Sequence, residues 1–396
     1  MYDIILIRYG EIALKGKNRS RFVRQLIDNI DYQLADTGEY SLKRTYGRIF
    51  IEPESDNTEK ILQKLQWIPG IVSISPTFTC KPDYNHLQKK SLQVFQKEVT
   101  DFPVTFKVIT SRADKSFPLT SPEINSKIGA HILHNTPEPL SVDVHNPEVE
   151  FNIEVRQDKI YIFTRTIDGP GGLPVGSSGK ALLLLSGGID SPVAGWMSMT
   201  RGIKLEALYF HSFPYTGDRT REKVVDLTRR LSELGGQIRL HTGYFTDIQK
   251  AIQENCPEKS RITIMRRMMF RLAEKIAQQN NIFTLITGES VGQVASQTLE
   301  SINTIDRVTS LPVLRPLVAL NKNTIMATAR KIKTYQISIR PHEDCCTLFV
   351  PDKPETKPTP EEAKQAEANL DILKLITEAL QKTETVTINP TQKKNN

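Results

Sequence analysis

Apolar residues recur along this chain with two periods, and each marks a different kind of element. Residues 2–8 (YDIILIR) read as a strand, whereas 18–35 place Phe22, Leu26, Ile30 and Leu34 on one helical face. Strands follow around 41–52, turned at Gly47, and near 71–79. The order strand, helix, two strands, helix, strand predicts a small ferredoxin-like α+β unit over residues 1–60. A second block over 61–167 predicts a helix at 84–99, a strand at 104–110 and a helix at 121–134 opened by Ser121-Pro122-Glu123. It ends in a hairpin, 149–166, turning at Gln157-Asp158. Neither block holds an obvious catalytic cluster, so both are expected to present surface.

Residues 168–179, rich in Gly, Pro and Ser, break helix and strand alike and predict a linker. The pattern then changes for 180–396. Continuous apolar runs at 181–186, 204–212, 236–243 and 282–290 alternate with helical stretches at 192–201, 219–234, 246–254 and 261–279. Such alternation predicts a parallel sheet covered on both faces, with ligands at the carboxyl ends of its strands. Beyond 351 the sequence predicts one further helix at 360–382 and a polar tail.

No apolar run approaches the ~20 residues of a membrane span, so no membrane partner is expected. The N-terminus lacks a basic, then apolar, then small-residue leader, which predicts a cytoplasmic protein. Four cysteines without a CxxC pair exclude a disulfide framework and give no protein-ligated metal site. The net charge is +7. Charge is balanced up to residue 175, so the excess lies beyond it, and no carboxylate occurs from Arg307 to His342. That stretch, with Arg307, Arg315, Lys322, Arg330, Lys331, Lys333 and Arg340, suits either a polyanion or solvated helix faces.

The sharpest chemical signal is Leu184-Leu185-Ser186-Gly187-Gly188-Ile189-Asp190-Ser191-Pro192, which follows a buried strand and opens a helix. Two glycines let successive N–H groups turn inward and the helix N-terminus adds its dipole, a cradle for phosphate. Asp190 suits an anion site only with Mg2+ between the two. The lysine of GxxxxGK[ST] is missing, so this is not that class of nucleotide loop.

These residues resemble the SGGxDS loop of N-type ATP pyrophosphatases, which split ATP between the α- and β-phosphates and adenylate a carbonyl-type oxygen. The resemblance narrows with three further collinear motifs: Gly10-Glu11-Ile12-Ala13-Leu14-Lys15-Gly16-Lys17-Asn18-Arg19, Gly288-Glu289-Ser290 with 292–298 (GQVASQT), and His342-Glu343-Asp344-Cys345-Cys346. Together they resemble the tRNA 4-thiouridine synthetase family over nearly the whole chain. This implies an α/β protein with a ferredoxin-like domain, a THUMP RNA-binding domain and a parallel-sheet ATP pyrophosphatase domain, akin to adenine nucleotide alpha hydrolases. It implies ATP and Mg2+ as cofactors, uridine 8 of tRNA as substrate, a cysteine desulfurase as persulfide donor and a homodimer. It also implies a role in sulfur transfer to the thiamine sulfur-carrier protein.

Carried over by position, the ATP pocket comprises Leu184, Leu185, Ser186, Gly187, Gly188, Asp190, Ser191, Tyr209, Phe210, Arg266, Gly288 and Gln297. Arg266 on its own reads equally as a surface helix charge. Cys345 takes the family's catalytic position, with Asp190 and Cys346 beside it, whereas Cys80 and Cys256 read as inert. Longer members append a rhodanese domain with its own persulfide cysteine. None is expected here, so sulfur is expected directly from the partner, with Cys346, another cysteine or an external thiol closing the disulfide. Asn321-Lys322 replaces the Asp-Lys of many members, and Asn321 is still expected to cap a helix.

Two other classes fit parts of the chain. A small-molecule amide ligase would use 180–300 but leave the first 175 residues and the cysteine pair idle. A non-enzymatic tRNA-binding protein would need no intact Ser186-Gly-Gly-Ile-Asp-Ser191. Pyrophosphate release stimulated by tRNA, by a small acid or by neither separates the three.

Overall fold

The computed structural model describes residues 2–45, 47–54, 57–213, 218–341 and 355–390. The chain divides into two compact units, one of residues 1–19 and 34–171, the other of 20–33 and 172–396. Among the described residues no helix is long and apolar enough to cross a membrane.

The first unit is built on one sheet of nine strands. They are β1 (Ile4–Tyr9), β2 (Tyr40–Thr45), β3 (Arg48–Pro53), β4 (Ile71–Cys80), β5 (Val104–Arg112), β6 (Leu140–Val142), β7 (Val149–Val155), β8 (Ile160–Phe163) and β9 (Ile167–Asp168). The order is β2-β3-β1-β4-β8-β7-β5-β6, with β9 also on β4. β4 joins two halves: its first residues pair antiparallel with β1, and Phe78 to Cys80 pair antiparallel with β8. Gly47 turns β2 into β3 at φ 79°, a left-handed conformation that glycine adopts without strain. Helix α2 (Thr58–Leu65) buries Ile61, Leu62 and Leu65, whereas α1 (Arg19–Leu34), whose residues 20–33 belong to the second unit, buries Val23, Leu26 and Ile30. α3 (Tyr84–Glu98) and α4 (Ser121–Asn135) cover β5 and β7 through Phe95, Ile124, Ile128, Phe106 and Phe151. Thr120 caps α4 with Glu123 in a reciprocal capping box, the start that Ser121-Pro122-Glu123 predicted.

The second unit carries a six-stranded sheet: β10 (Lys180–Leu184), β11 (Lys204–His211), β12 (Ile238–Tyr244), β13 (Leu285–Ile286), β14 (Val313–Leu314) and β15 (Glu384–Ile388), ordered β14-β13-β10-β11-β12-β15. All pairs are parallel except β12 with β15. The helices are α5 (Asp190–Thr200), α6 (Asp218–Gly235), α7 (Thr246–Asn255), α8 (Arg261–Gln279), α9 (Leu299–Asp306), α10 (Lys322–Lys331), α11 (Tyr335–Ser338), α12 (Pro360–Ala366) and α13 (Ile372–Gln381). A core of Leu182, Leu208, Phe245, Met268, Leu272 and Leu285 packs α7 and α8 against the strands.

Three expectations change. The helix at 360–382 is two, because Asp371 caps a new start by accepting from the Lys374 amide at 3.1 Å. Ahead of the polar tail lies an unexpected strand, β15: Val386 and Ile388 alternate with Thr385 and Thr387, but over only five residues, the first four of them exposed, and the pairing with β12 makes it a strand. The run 282–290 contributes only Leu285–Ile286 to the ladder, and its remainder forms the strand-end loop of the site.

Candidate functional site

Strand order reverses around β10, which lies between β11 and β13. This is the switch point where an open parallel sheet leaves a crevice at its carboxyl edge, and the loop 186–191 fills that place. Ser191 Oγ accepts from the Ser186 amide at 2.9 Å and lies 3.1 Å from Ser186 Oγ. Ser186 Oγ accepts in turn from the Gly188 amide at 3.2 Å. The two hydroxyls therefore tie the turn closed from within. No side chain caps the N-terminus of α5 at Ile189, so its first amides and their dipole remain for an anion.

Gly288, just past β13, forms the opposite wall. A Cβ there would lie 2.7 Å from the Ser191 nitrogen and 2.9 Å from the Asp190 carbonyl carbon. Only glycine allows this approach of two backbones. Tyr209 and Phe210 end β11 beside the loop with buried side chains, so their backbone is what can face a ligand. Phe210 packs on Phe245 with ring centroids 5.2 Å apart. Leu184 ends β10 and Leu185 follows it, its amide donating to the Leu208 carbonyl at 2.8 Å. Gln297 shapes the loop after β13, its side-chain carbonyl accepting from the Ser290 amide at 3.3 Å.

Asp190 does not stand alone. Lys322 Nζ donates to its Oδ1 at 2.6 Å and Gln293 Nε2 to its Oδ2 at 2.7 Å. Asn321, the cap of α10, accepts from the Thr324 amide at 3.0 Å and fixes the turn that carries Lys322. Arg266 on α8 is ion-paired to Glu289, which also binds Arg315. Burial pushes the Glu289 carboxyl up, but the Arg266 and Arg315 guanidiniums outweigh it and leave the group below its usual range. Ser338 Oγ donates to the Gly188 carbonyl at 3.1 Å.

Lys322, Gln293, Glu289, Arg315 and Ser338 were not among the predicted site residues. Gln293 and Glu289 sit inside recognisable motifs, and Lys322 stands in the carboxylate-free run; nothing in the sequence marks Ser338. Of that basic run, Arg315, Lys322 and Arg340 are paired with Glu289, Asp190 and Asp226, while Arg307, Arg330, Lys331 and Lys333 are exposed. Cys345 and Cys346 lie outside the described residues. Burial pushes Cys256 up to about 11 and Cys80 up to about 12, so neither is a thiolate at neutral pH. Among the described residues no cluster of three metal-ligating side chains occurs.

Family models agree with this architecture. One described as thiamine biosynthesis protein (ThiI) matches residues 176–372, that for the ThiI ferredoxin-like domain matches 4–75 and that for the THUMP domain matches 81–165. The chain is 59% identical over 394 residues to a probable tRNA sulfurtransferase of Halothermothrix orenii, covering 98% of this chain and 99% of that one. It is 48% identical to that of Brevibacillus brevis, covering 97% and 96%. Among solved structures, a 4-thiouridine synthetase in complex with RNA and bound ATP superposes with a TM-score of 0.89 at 40% identity, covering 98% of this chain and all of that one. By identity and coverage together, the chain belongs to the tRNA sulfurtransferase family.

Proposed function

We propose that this protein activates uridine 8 of tRNA with ATP and replaces its O4 with sulfur carried on Cys345, making 4-thiouridine. The observation that carries the reading is the seat at the end of β10. There an uncapped helix N-terminus stands behind a two-glycine turn, walled by Gly288, with Lys322 of α10 paired to Asp190 at the start of α5. The relative solved with RNA and ATP supports those two ligands.

In this reading the amides of the loop and of the first turn of α5 hold the triphosphate, and Arg266 and Lys322 balance its charge. Uridine O4 attacks the α-phosphorus; the new O–P bond forms as the bridging P–O bond breaks and pyrophosphate leaves. Magnesium, carried in on the ATP phosphates, supplies charge neutralisation there. Asp190, whose two oxygens each accept one hydrogen bond and keep a lone pair, is the loop carboxylate that would face that metal.

The outer sulfur of a Cys345 persulfide then attacks C4, the C4–O4 bond breaks and AMP departs. A second thiol, from Cys346, another cysteine or an external donor, attacks Cys345 Sγ. The S–S bond breaks, its electron pair goes to the sulfur left on the base, and a disulfide remains for an external dithiol to reduce. A cytoplasmic cysteine desulfurase loads the persulfide, the enzyme works as a homodimer, and the thiamine sulfur-carrier protein is a second acceptor of the same sulfur. Labelled ATP tests the reading: AMP and pyrophosphate are expected, stimulated by unmodified tRNA. ADP with orthophosphate, or release driven only by a small carboxylic acid, would overturn it.

A further inference from the structure

Glu289 follows Gly288 directly and its side chain is 3% exposed. Its two oxygens are used differently. Oε2 is fixed twice, accepting from Thr287 Oγ1 at 2.8 Å and from Arg315 Nε at 2.7 Å. Arg315 is itself gripped at both terminal nitrogens by Asp306, at 2.9 and 2.6 Å. Oε1 meets one terminal nitrogen of Arg266. A side-on bidentate pair would engage Arg266 Nε as well and an end-on pair both terminal nitrogens, yet only one terminal nitrogen meets Glu289, and Nε is buried with no hydrogen-bond partner among the described residues.

The four side chains carry two positive and two negative charges, so the cluster is neutral before any phosphate arrives. One arginine, Arg315, is locked on every side. The other, Arg266, is held at one nitrogen and keeps donors in reserve. A free arginine loses rotamer entropy when it grips a ligand, whereas one already held loses it on folding.

We infer that Glu289 is a positioning residue: anchored by Arg315 and Thr287, it presents Arg266 to the triphosphate by a single-nitrogen grip that leaves the other donors for phosphate. The inference rests on the ATP reading above and adds a role for a side chain that need not touch the nucleotide.

The test measures ATP affinity by calorimetry and pyrophosphate release in the presence of tRNA, on the full chain. Glu289→Gln is expected to raise the Kd and KM for ATP by about tenfold, the loss of one charge-assisted contact, while kcat changes by less than about threefold. Glu289→Asp should recover part of that affinity. In an Arg266→Ala background, Glu289→Gln should change Kd by less than about twofold, because a residue acting through Arg266 has nothing left to position. A merely structural Glu289 would lower Tm and leave the two effects on Kd multiplicative, which would overturn the inference, as would a folded Glu289→Gln protein with wild-type Kd. If Glu289→Gln does not fold, Thr287→Val loosens the same carboxylate more gently. An increase in Kd of about two- to threefold that disappears in Arg266→Ala supports the role, and no increase overturns it. Wild-type protein that binds no ATP would remove the functional reading before any variant was made.

Discussion

Lys322 Nζ lies 2.6 Å from Asp190 Oδ1, joining α10 to the first residue of α5 across 132 positions of sequence. Gln293 takes the other oxygen, so the carboxylate holds two donors beside the 186–191 loop instead of presenting a bare negative charge. Lys322 remains 42% exposed, so as an ion pair it contributes little to stability.

Lys322→Met should therefore leave Tm within about 2 °C of wild type while lowering tRNA-stimulated pyrophosphate release by about a hundredfold or more, as losing a preorganised cation at developing charge does. Calorimetric melting and a pyrophosphate assay check both halves. A large fall in Tm would mark the pair as structural.

Gly288→Ala inserts a methyl group 2.7 Å from the Ser191 nitrogen, where backbone must move rather than a flexible side chain. The displaced loop should bind ATP about tenfold or more weakly, with the unfolding free energy lowered by no more than about 1–3 kcal/mol through overpacking. Nucleotide titration of the folded variant decides; wild-type affinity would show that Gly288 does not wall the site.

Cys345→Ser separates the two half-reactions. Pyrophosphate release in a single turnover should persist within about threefold, since adenylation does not use the thiol, whereas 4-thiouridine should vanish. Mass spectrometry of the tRNA reads the second outcome. Thiolation retained at full multiple turnover would remove Cys345 from the chemistry.

Acid stability should depend on Glu206, within β11. It accepts from His241 Nε2 at 3.0 Å and from Arg239 at 2.8 Å. Burial pushes its pKa up, but these partners prevail and lower it from 4.5 to about 2. A folded pKa below the unfolded one means that the stabilisation is present above the unfolded value and is lost as pH falls from about 4.5 towards 2. Glu206→Gln should flatten that part of the Tm profile and cost on the order of 1–3 kcal/mol at pH 7. An unchanged profile would assign acid unfolding to other carboxylates.

The alternation of apolar strands and helical faces after residue 180 determined a parallel sheet, because strands buried on both sides must be apolar throughout. Ser186-Gly187-Gly188-Ile189-Asp190-Ser191 determined the turn and helix start of the candidate site, because both are local in the chain. Strand order, which puts Gly288 against Ser191, was decided only by tertiary structure. So were Lys322 on Asp190 and Arg266 on Glu289, contacts spanning 132 and 23 positions. β15 was likewise not expected, since Val386 and Ile388 give it only one repeat of an apolar period, and it exists because β12 offers it a ladder. Local periodicity encodes which elements form; the partners of a charged side chain depend on which strand ends converge, and that is settled by packing of the whole sheet.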